Sequence, residues 1–267
     1  MIQVLAVIPA RFGSTRFPGK PLALLRGIPV IVWVLNAVKK AKLVDRVLVA
    51  TDNTEIARVI SQQDGLAYLT SSKCSCGTER VIEAVGQLYH REPQNWNQLR
   101  VVVNVQGDEP AVNPQHIDIA IESLLKDKDE TNFQVSTLAT PFQSIEEWKS
   151  PDHVKVVCDS KCEALYFSRS PIPYYHQDAN IAFPHSLYLR HVGIYAFRKS
   201  FLEKIPQLTK SPLEDLERLE QLTWIYHQKK IMVNLVQHAW RGIDRPQDLI
   251  FLEKNLPVSY ETRKSYS

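Results

Sequence analysis

Val4-Leu5-Ala6-Val7-Ile8-Pro9-Ala10-Arg11-Phe12-Gly13-Ser14-Thr15-Arg16-Phe17-Pro18-Gly19-Lys20 opens the chain. Residues 4–8 are apolar without alternation, the pattern of a strand buried on both faces of a parallel sheet. A long loop follows, to Pro21. It carries three cations (Arg11, Arg16, Lys20), two glycines and the hydroxyls of Ser14 and Thr15. At the carboxyl end of a parallel strand such a loop faces the ligand crevice. Glycines let backbone N–H groups approach a phosphate, and Arg and Lys neutralise it. The order G-x-x-x-x-G-K-[ST] is nearly imitated from Gly13 onward but fails in spacing and ending. An ordinary solvated basic loop is the competing reading.

Working outward, short β-branched runs alternate with amphipathic stretches, which predicts βα units around a mostly parallel sheet. The spacing predicts helices over 31–42, 54–62 and 81–88, and strands over 46–50 and 101–105. Residues 135–200 change character. Strand-like pieces at 154–158 and 189–196 flank a Pro- and aromatic-rich stretch, 170–188, predicting an inserted, partly antiparallel subdomain. Ser211-Pro212-Leu213-Glu214 reads as a capping box with a proline start, a strand is expected over 231–236, and Asp244-Arg245-Pro246-Gln247 begins a last helix. The polar tail from about Pro257 is expected to fray.

Composition narrows the function. The chain has 267 residues, is 44% hydrophobic, and carries a net charge of +3 with its cations scattered. That excludes the basic stripe of a nucleic-acid binder but suits a small anionic ligand. The longest apolar run, 28–35, falls far short of the ~20 residues that span a bilayer. With no basic region at Met1-Ile2-Gln3, a cytoplasmic protein without stable membrane association is expected. Cys74/Cys76 and Cys158/Cys162 lack zinc-ribbon spacing and read as reduced thiols.

Three further places can carry chemistry. Asn104-Val105-Gln106-Gly107-Asp108-Glu109-Pro110 leaves the most regular strand. Asp108 there can hold Mg2+ against phosphates, or Gly107-Asp108 can simply be a turn. Asp244 can be a metal ligand or an N-cap paired with Gln247. In the helix after Ser211, Glu217, Glu220 and Gln221 would share one face, with Leu216, Leu219, Leu222 and Tyr226 on the core stripe. Arg169, Arg190 and His191 lie in or beside the insertion, where a structural role competes with ligand binding.

These residues together resemble a known family. Residues 8–21 are similar to the IPARxxSTRxPGKPL signature of the CMP-Kdo synthetases, the 3-deoxy-manno-octulosonate cytidylyltransferases. Residues 104–110 resemble VNVQGDEP, Ala164-Leu165-Tyr166-Phe167-Ser168-Arg169 resembles ALYFSR, and Arg190-His191-Val192-Gly193-Ile194-Tyr195 resembles RHxGIY. Ser211-Pro212-Leu213-Glu214 and Leu219-Glu220-Gln221-Leu222 complete six motifs in order.

The resemblance implies a Rossmann-like nucleotidyltransferase fold over residues 1–267, with a homodimer built through 135–200. It implies that Arg11, Ser14 and Lys20, with Arg16 close by, hold the CTP triphosphate, and that Gly77, Thr78 and Arg80 help to hold cytidine. Asp108 and Asp244 would bind Mg2+. Gln106, Arg169, His191, Tyr195, Glu220 and Gln221 would surround the sugar acid Kdo, with Lys20, Arg11 and Asp108 carrying the catalysis. The implied reaction joins Kdo to CMP, releases pyrophosphate and supplies lipopolysaccharide assembly. Departures from the pattern are Cys76 for serine or asparagine, Ser150-Pro151-Asp152 for Asn-Pro-Asn, Arg245 for threonine and Gln247 for glutamate. Competing readings are a cytidylyltransferase for 8-amino-Kdo or sialic acid, and, in another class, a non-catalytic nucleotide-binding dimer. The LAAGxGxR loop of sugar-1-phosphate nucleotidyltransferases is missing.

Overall fold

The computed structural model describes residues 2–14, 16–129, 132–176 and 183–257. Thr15 of the first loop, part of the 170–188 segment and the tail expected to fray lie outside the described residues. The chain divides into two compact units, Met1–Asp118 with Trp240–Ser267, and Ile119–Ala239. The stretch expected as an insertion, 135–200, falls inside the second.

The first unit is built on strand β1 (Val4–Ala10), buried along its whole length. Helix α1 (Val30–Val38), β2 (Arg46–Thr51), α2 (Thr54–Ser61), β3 (Leu66–Leu69), α3 (Gly77–Arg91) and β4 (Val101–Val105) follow. All four strands run parallel, in the order β4-β1-β2-β3. Leu5 lies opposite both Arg46 and Val102, so β1, β2 and β4 end at one edge. Parallel strands covered on both faces need continuous apolar runs, which β1 and β4 supply.

Local chemistry sets the ends of the helices. The Asn53 side chain accepts from the N–H groups of Glu55 and Ile56 and starts α2. Helix α3 starts four residues earlier than its apolar spacing predicts. Its first turn, Gly77-Thr78-Glu79-Arg80, follows Cys76, which gives no side-chain cap, and the Glu79 carboxylate instead accepts from Ser75 N at 2.6 Å. Helix α1 is shorter than expected and ends near Val38.

The second unit is mixed. It comprises β5 (Val135–Pro141), β6 (Lys155–Cys158), β7 (Ala164–Ser168), β8 (Leu189–Arg198), short helices α4 (Pro212–Glu217) and α5 (Gln221–Tyr226), and β9 (Ile231–Leu235). Strands β5 and β9 are parallel, while β8 pairs antiparallel with β5 and β6, and β6 with β7. The aromatic-rich segment makes its own core, with Phe142, Trp148 and Tyr188 buried against Tyr175 and Phe183.

Two expectations about helices fail here. Residues 211–226 do not form one continuous helix. Arg218 takes a left-handed conformation (φ 56°) and separates α4 from α5, so Glu217 does not share a face with Glu220 and Gln221. Leu219 and Leu222 are buried as expected, but Leu216 (81% exposed) and Tyr226 (57%) are not core residues. The box at Ser211 is half made. Ser211 Oγ accepts from Glu214 N, but the Glu214 carboxylate takes the Thr223 hydroxyl at 2.5 Å.

His191, on β8, packs its ring between Phe167 and Tyr195 (centroids 5.1 and 5.3 Å), although part of the residue reaches the surface. Its Nε2 lies 2.9 Å from Thr137 Oγ1, and that hydroxyl donates to Ile194 O at 2.8 Å. The Thr137 hydroxyl thus stands between the His191 ring and the Ile194 carbonyl. Burial, then the Arg190 charge, lower the His191 pKa to about 3.

Two predictions follow from these contacts. A Cβ on Gly107 would stand 2.7 Å from the Pro9 carbonyl and 3.3 Å from Ala10 Cβ, so Gly107→Ala should destabilise by about 1–3 kcal/mol in denaturant unfolding. For His191 the folded pKa lies below the usual 6.5, so the unfolded chain binds the extra proton between pH 6.5 and about 3. Its stabilising contribution is complete above pH 6.5 and falls as pH drops through that window. Compared with the wild type, His191→Gln should lose about 2–4 kcal/mol less stability between pH 6.5 and 3, after discounting for partial exposure. Parallel stability–pH curves for the two proteins would refute this.

Candidate active site

At the carboxyl edge of β1, β2 and β4, the first unit encloses a cavity of about 250 Å³. Its lining includes Arg11, Ser14, Arg16, Lys20, Gly77, Arg80, Gln106, Asp108 and Asp244, with Cys74, Ser75 and Cys76 along one side. Apart from Thr78, these are all the sequence-selected candidates for nucleotide and metal in this unit, together with Gln106. Thr78 is buried and is not among the lining residues. Its hydroxyl accepts from Asn104 Nδ2 at 3.5 Å, and Asn104 Oδ1 accepts from Gln106 Nε2 at 3.3 Å.

The loop after β1 folds on one peptide. The Phe12 carbonyl accepts from Ser14 N (3.0 Å) and Gly19 N (3.1 Å), and Gly19 adopts the left-handed φ of 71° that such a turn requires. Ser14 Oγ accepts from Phe17 N at 3.4 Å. The loop then turns Lys20 inward, leaving that residue 8% exposed.

Lys20 Nζ donates to Asp108 Oδ2 at 2.5 Å and to the Ile243 carbonyl at 2.6 Å, and lies 3.8 Å from Asp244 Oδ1. Arg16 reaches the same Asp244 oxygen at 3.5 Å. Asp108 is held by its own backbone, whose carbonyl accepts from Ile243 N at 2.8 Å. Ile243 in turn is anchored by packing with Leu25, Val30, Trp33, Ala111, Leu252 and Leu256.

Asp244 is not the N-cap that its spacing to Gln247 suggests. The final helix, α6 (Pro246–Asn255), is capped at Arg245, and the Asp248 carboxylate accepts from the N–H groups of both Asp244 and Arg245 (2.9 and 2.7 Å). Asp248 does the capping and the Asp244 side chain turns to the cations. Two carboxylates thus converge on one ammonium. As a donor set, a pair of carboxylates without thiolate or imidazole fits Mg2+, which takes one or two carboxylates and completes its shell with water and phosphate oxygens. Among the described residues no group of three or more His, Cys, Asp or Glu forms a closed metal cage.

Sequence reasoning missed Asp52 and Thr70. Both hold Arg80, which is 3% exposed: Nη2 donates to Asp52 Oδ2 (3.0 Å) and Nη1 to Thr70 Oγ1 (2.6 Å). An acidic residue immediately after a parallel strand was the available signal for Asp52. The Cys74 thiol donates to Glu83 at 3.3 Å, and burial, with Glu83, pushes its pKa up to about 11. It therefore remains a thiol at neutral pH. Cys76 lines the cavity.

The remaining candidates belong to the second unit, which brings His191 and Tyr195 together through their ring contact. Tyr195 is 4% exposed, and burial, then Glu220, hold its pKa well above the usual value. Gln221 is buried at the start of α5, directly after Glu220. Arg169 is fixed by main-chain acceptors, donating from Nε to Glu217 O and from Nη1 to Pro151 O, while the Glu217 carboxylate accepts from Arg169 N and Ser168 Oγ. Lys155 donates to the carbonyls of Ser150 and Arg169. Because the contacts at 150 and 151 use backbone oxygens, Ser150 in place of the expected asparagine leaves them intact. Arg190 Nη2 donates to Ala239 O at 2.6 Å.

No helix among the described residues is long and apolar enough to cross a membrane. Comparison with known proteins agrees with the geometry. Residues 5–231 match the family model described as cytidylyltransferase. A 3-deoxy-manno-octulosonate cytidylyltransferase of Thermodesulfovibrio yellowstonii is 41% identical over 94% of this chain and 97% of its own length. The enzyme of that name from Syntrophotalea carbinolica is 39% identical over 96% and 99%. Among solved structures, a CMP:2-keto-3-deoxy-manno-octonic acid synthetase complexed with CTP superposes with a TM-score of 0.83 at 34% identity, covering 94% of this chain and 97% of that one. The chain belongs to the cytidylyltransferase family, and within it to the 3-deoxy-manno-octulosonate cytidylyltransferases.

Proposed function

We propose that this enzyme transfers the cytidylyl group of CTP to 3-deoxy-manno-octulosonate (Kdo), giving CMP-Kdo and pyrophosphate. The observation that carries the reading is the buried Lys20 ammonium between Asp108 and Asp244, in a cavity also lined by Arg11, Arg16 and Arg80. A pocket combining four cations with two carboxylates suits a polyphosphate better than a neutral ligand. The anomeric C2 hydroxyl attacks the α-phosphorus of CTP as the bond to pyrophosphate breaks.

In this reading Arg11, Ser14, Arg16 and Lys20 bind and align the triphosphate. Gly77 admits the nucleotide's backbone contacts at the start of α3, with Thr78 and Arg80 beside it. Asp108 and Asp244 would hold Mg2+, which when bound neutralises charge on the phosphoryl oxygens and the leaving group. Lys20 changes partners, from carboxylate to phosphate, without leaving the cavity. Gln106, Arg169, His191, Tyr195, Glu220 and Gln221 would receive the sugar acid. Burial lowers the His191 pKa to about 3, so the ring stays neutral and does not act as a base at neutral pH. A cytoplasmic homodimer built through 135–200 and serving lipopolysaccharide assembly completes the proposal, on the strength of the motifs shared with the family.

Pyrophosphate release from CTP should require Kdo and Mg2+, stop on chelation with EDTA and resume on adding Mg2+. Release with sialic acid or 8-amino-Kdo but not Kdo would keep the chemistry and change the acceptor. Silence with every acid sugar, from folded protein, would leave a nucleotide-binding dimer. Lys20→Met should lower kcat about 10²–10³-fold, the loss typical of a preorganised charge removed from a developing anion. An unchanged kcat in that variant would remove Lys20 from the catalytic machinery.

A further inference from the structure

Asp52 is a half-buried carboxylate that is not itself among the residues lining the cavity, yet two segments that build the cavity hydrogen-bond to it. Its Oδ1 accepts from Phe12 N at 3.0 Å, and its Oδ2 accepts from Arg80 Nη2 at 3.0 Å. Phe12 belongs to the peptide on which the cation-bearing loop folds, since its carbonyl collects Ser14 N and Gly19 N. Arg80 belongs to the first turn of α3 and is the most deeply buried cation of the cavity. A single carboxylate therefore joins the strand-β1 loop to the helix-α3 wall, and does so from the end of β2, which lies beside β1 in the sheet.

We infer that Asp52 is a positioning residue for nucleotide binding, setting Arg80 and the Phe12 turn at a fixed separation before the triphosphate arrives. The inference rests on the proposed reaction. The physical reason is preorganisation. Arg80 offers five N–H donors, and anchoring part of this fork on Asp52 and Thr70 leaves the rest aimed without rotamer freedom. Arg80 is buried, and a buried charge without a partner is costly, so the Asp52 carboxylate compensates it and holds it in place. Because Oδ1 and Oδ2 serve different walls, moving one moves the other. Asn in place of Asp52 can still accept from Phe12 N, but turns an N–H of its own toward the guanidinium.

The test compares CTP binding by calorimetry and steady-state kinetics in wild type, Asp52→Asn, Asp52→Glu and Thr70→Val. Asp52→Asn should raise KM and Kd for CTP about tenfold, the usual cost of removing an outer partner of a ligand-binding group, with kcat and KM for the acid sugar changed much less. Asp52→Glu, which keeps the charge, should recover part of the loss. Thr70→Val, which removes the second anchor of Arg80, should move CTP affinity in the same direction and serves if Asp52→Asn does not fold. In an Arg80→Met background the effect of Asp52→Asn should shrink, because its partner is gone. CTP affinity equal to wild type in folded Asp52→Asn and Thr70→Val overturns the inference and leaves the proposed reaction standing. So does an equal fall in kcat and both affinities, the signature of general damage. Failure of the wild type itself to bind CTP overturns the functional reading and this assignment with it.

Discussion

Parallel register in the first unit is the constraint on which the site depends. Because Leu5 stands opposite both Arg46 and Val102, β1, β2 and β4 finish at one edge of the sheet. The segments that leave them (Arg11 to Lys20, Asp52 and Gln106 to Asp108) are thereby delivered to the same place. No local interaction among those segments could do this alone, since loops of that length have many conformations and a large entropy to lose. Gly107 shows how tight the result is. Its backbone approaches the Pro9 carbonyl so closely that a methyl group would collide with it.

On that frame the charges are arranged as a connected set. Lys20 meets Asp108 and Asp244, Arg16 meets Asp244, and Arg80 meets Asp52. The two buried cations of this set, Lys20 and Arg80, are stable only when paired and hydrogen-bonded, and the Ile243 and Thr70 oxygens complete their pairing. Asp248 makes a second contribution from outside the cavity. By satisfying the backbone at the start of α6, it releases Asp244 from the capping role that its position invites.

The second unit follows a different logic, with its polar candidates enclosed and mutually held. Arg169 and Glu217 are locked by main-chain groups around the left-handed turn at Arg218. His191 is kept neutral by burial, and Tyr195 by burial and the nearby Glu220. With their ionisation suppressed by burial, His191 and Tyr195 can make directed hydrogen bonds but are poorly suited to proton transfer at neutral pH.

Some of this was legible before any coordinates. Unbroken apolar runs at 4–8 and 101–105 determine buried parallel strands, since a chain with no polar alternation cannot leave one sheet face in water. Cations and glycines after the first run determine a taste for anions, and the six ordered motifs identify the family. Tertiary structure alone decided the rest. Residues 211–226 keep a helical pattern of leucines yet break at Arg218, next to Glu217, which is held by Ser168 and Arg169, 49 and 48 positions away. Asp52 joins Phe12 to Arg80, and Lys20 meets Asp108 across 88 positions. Periodicity records only what neighbours along the chain do within a turn or a strand. Which carboxylate meets which cation depends on strand register, and that is settled when the whole sheet packs.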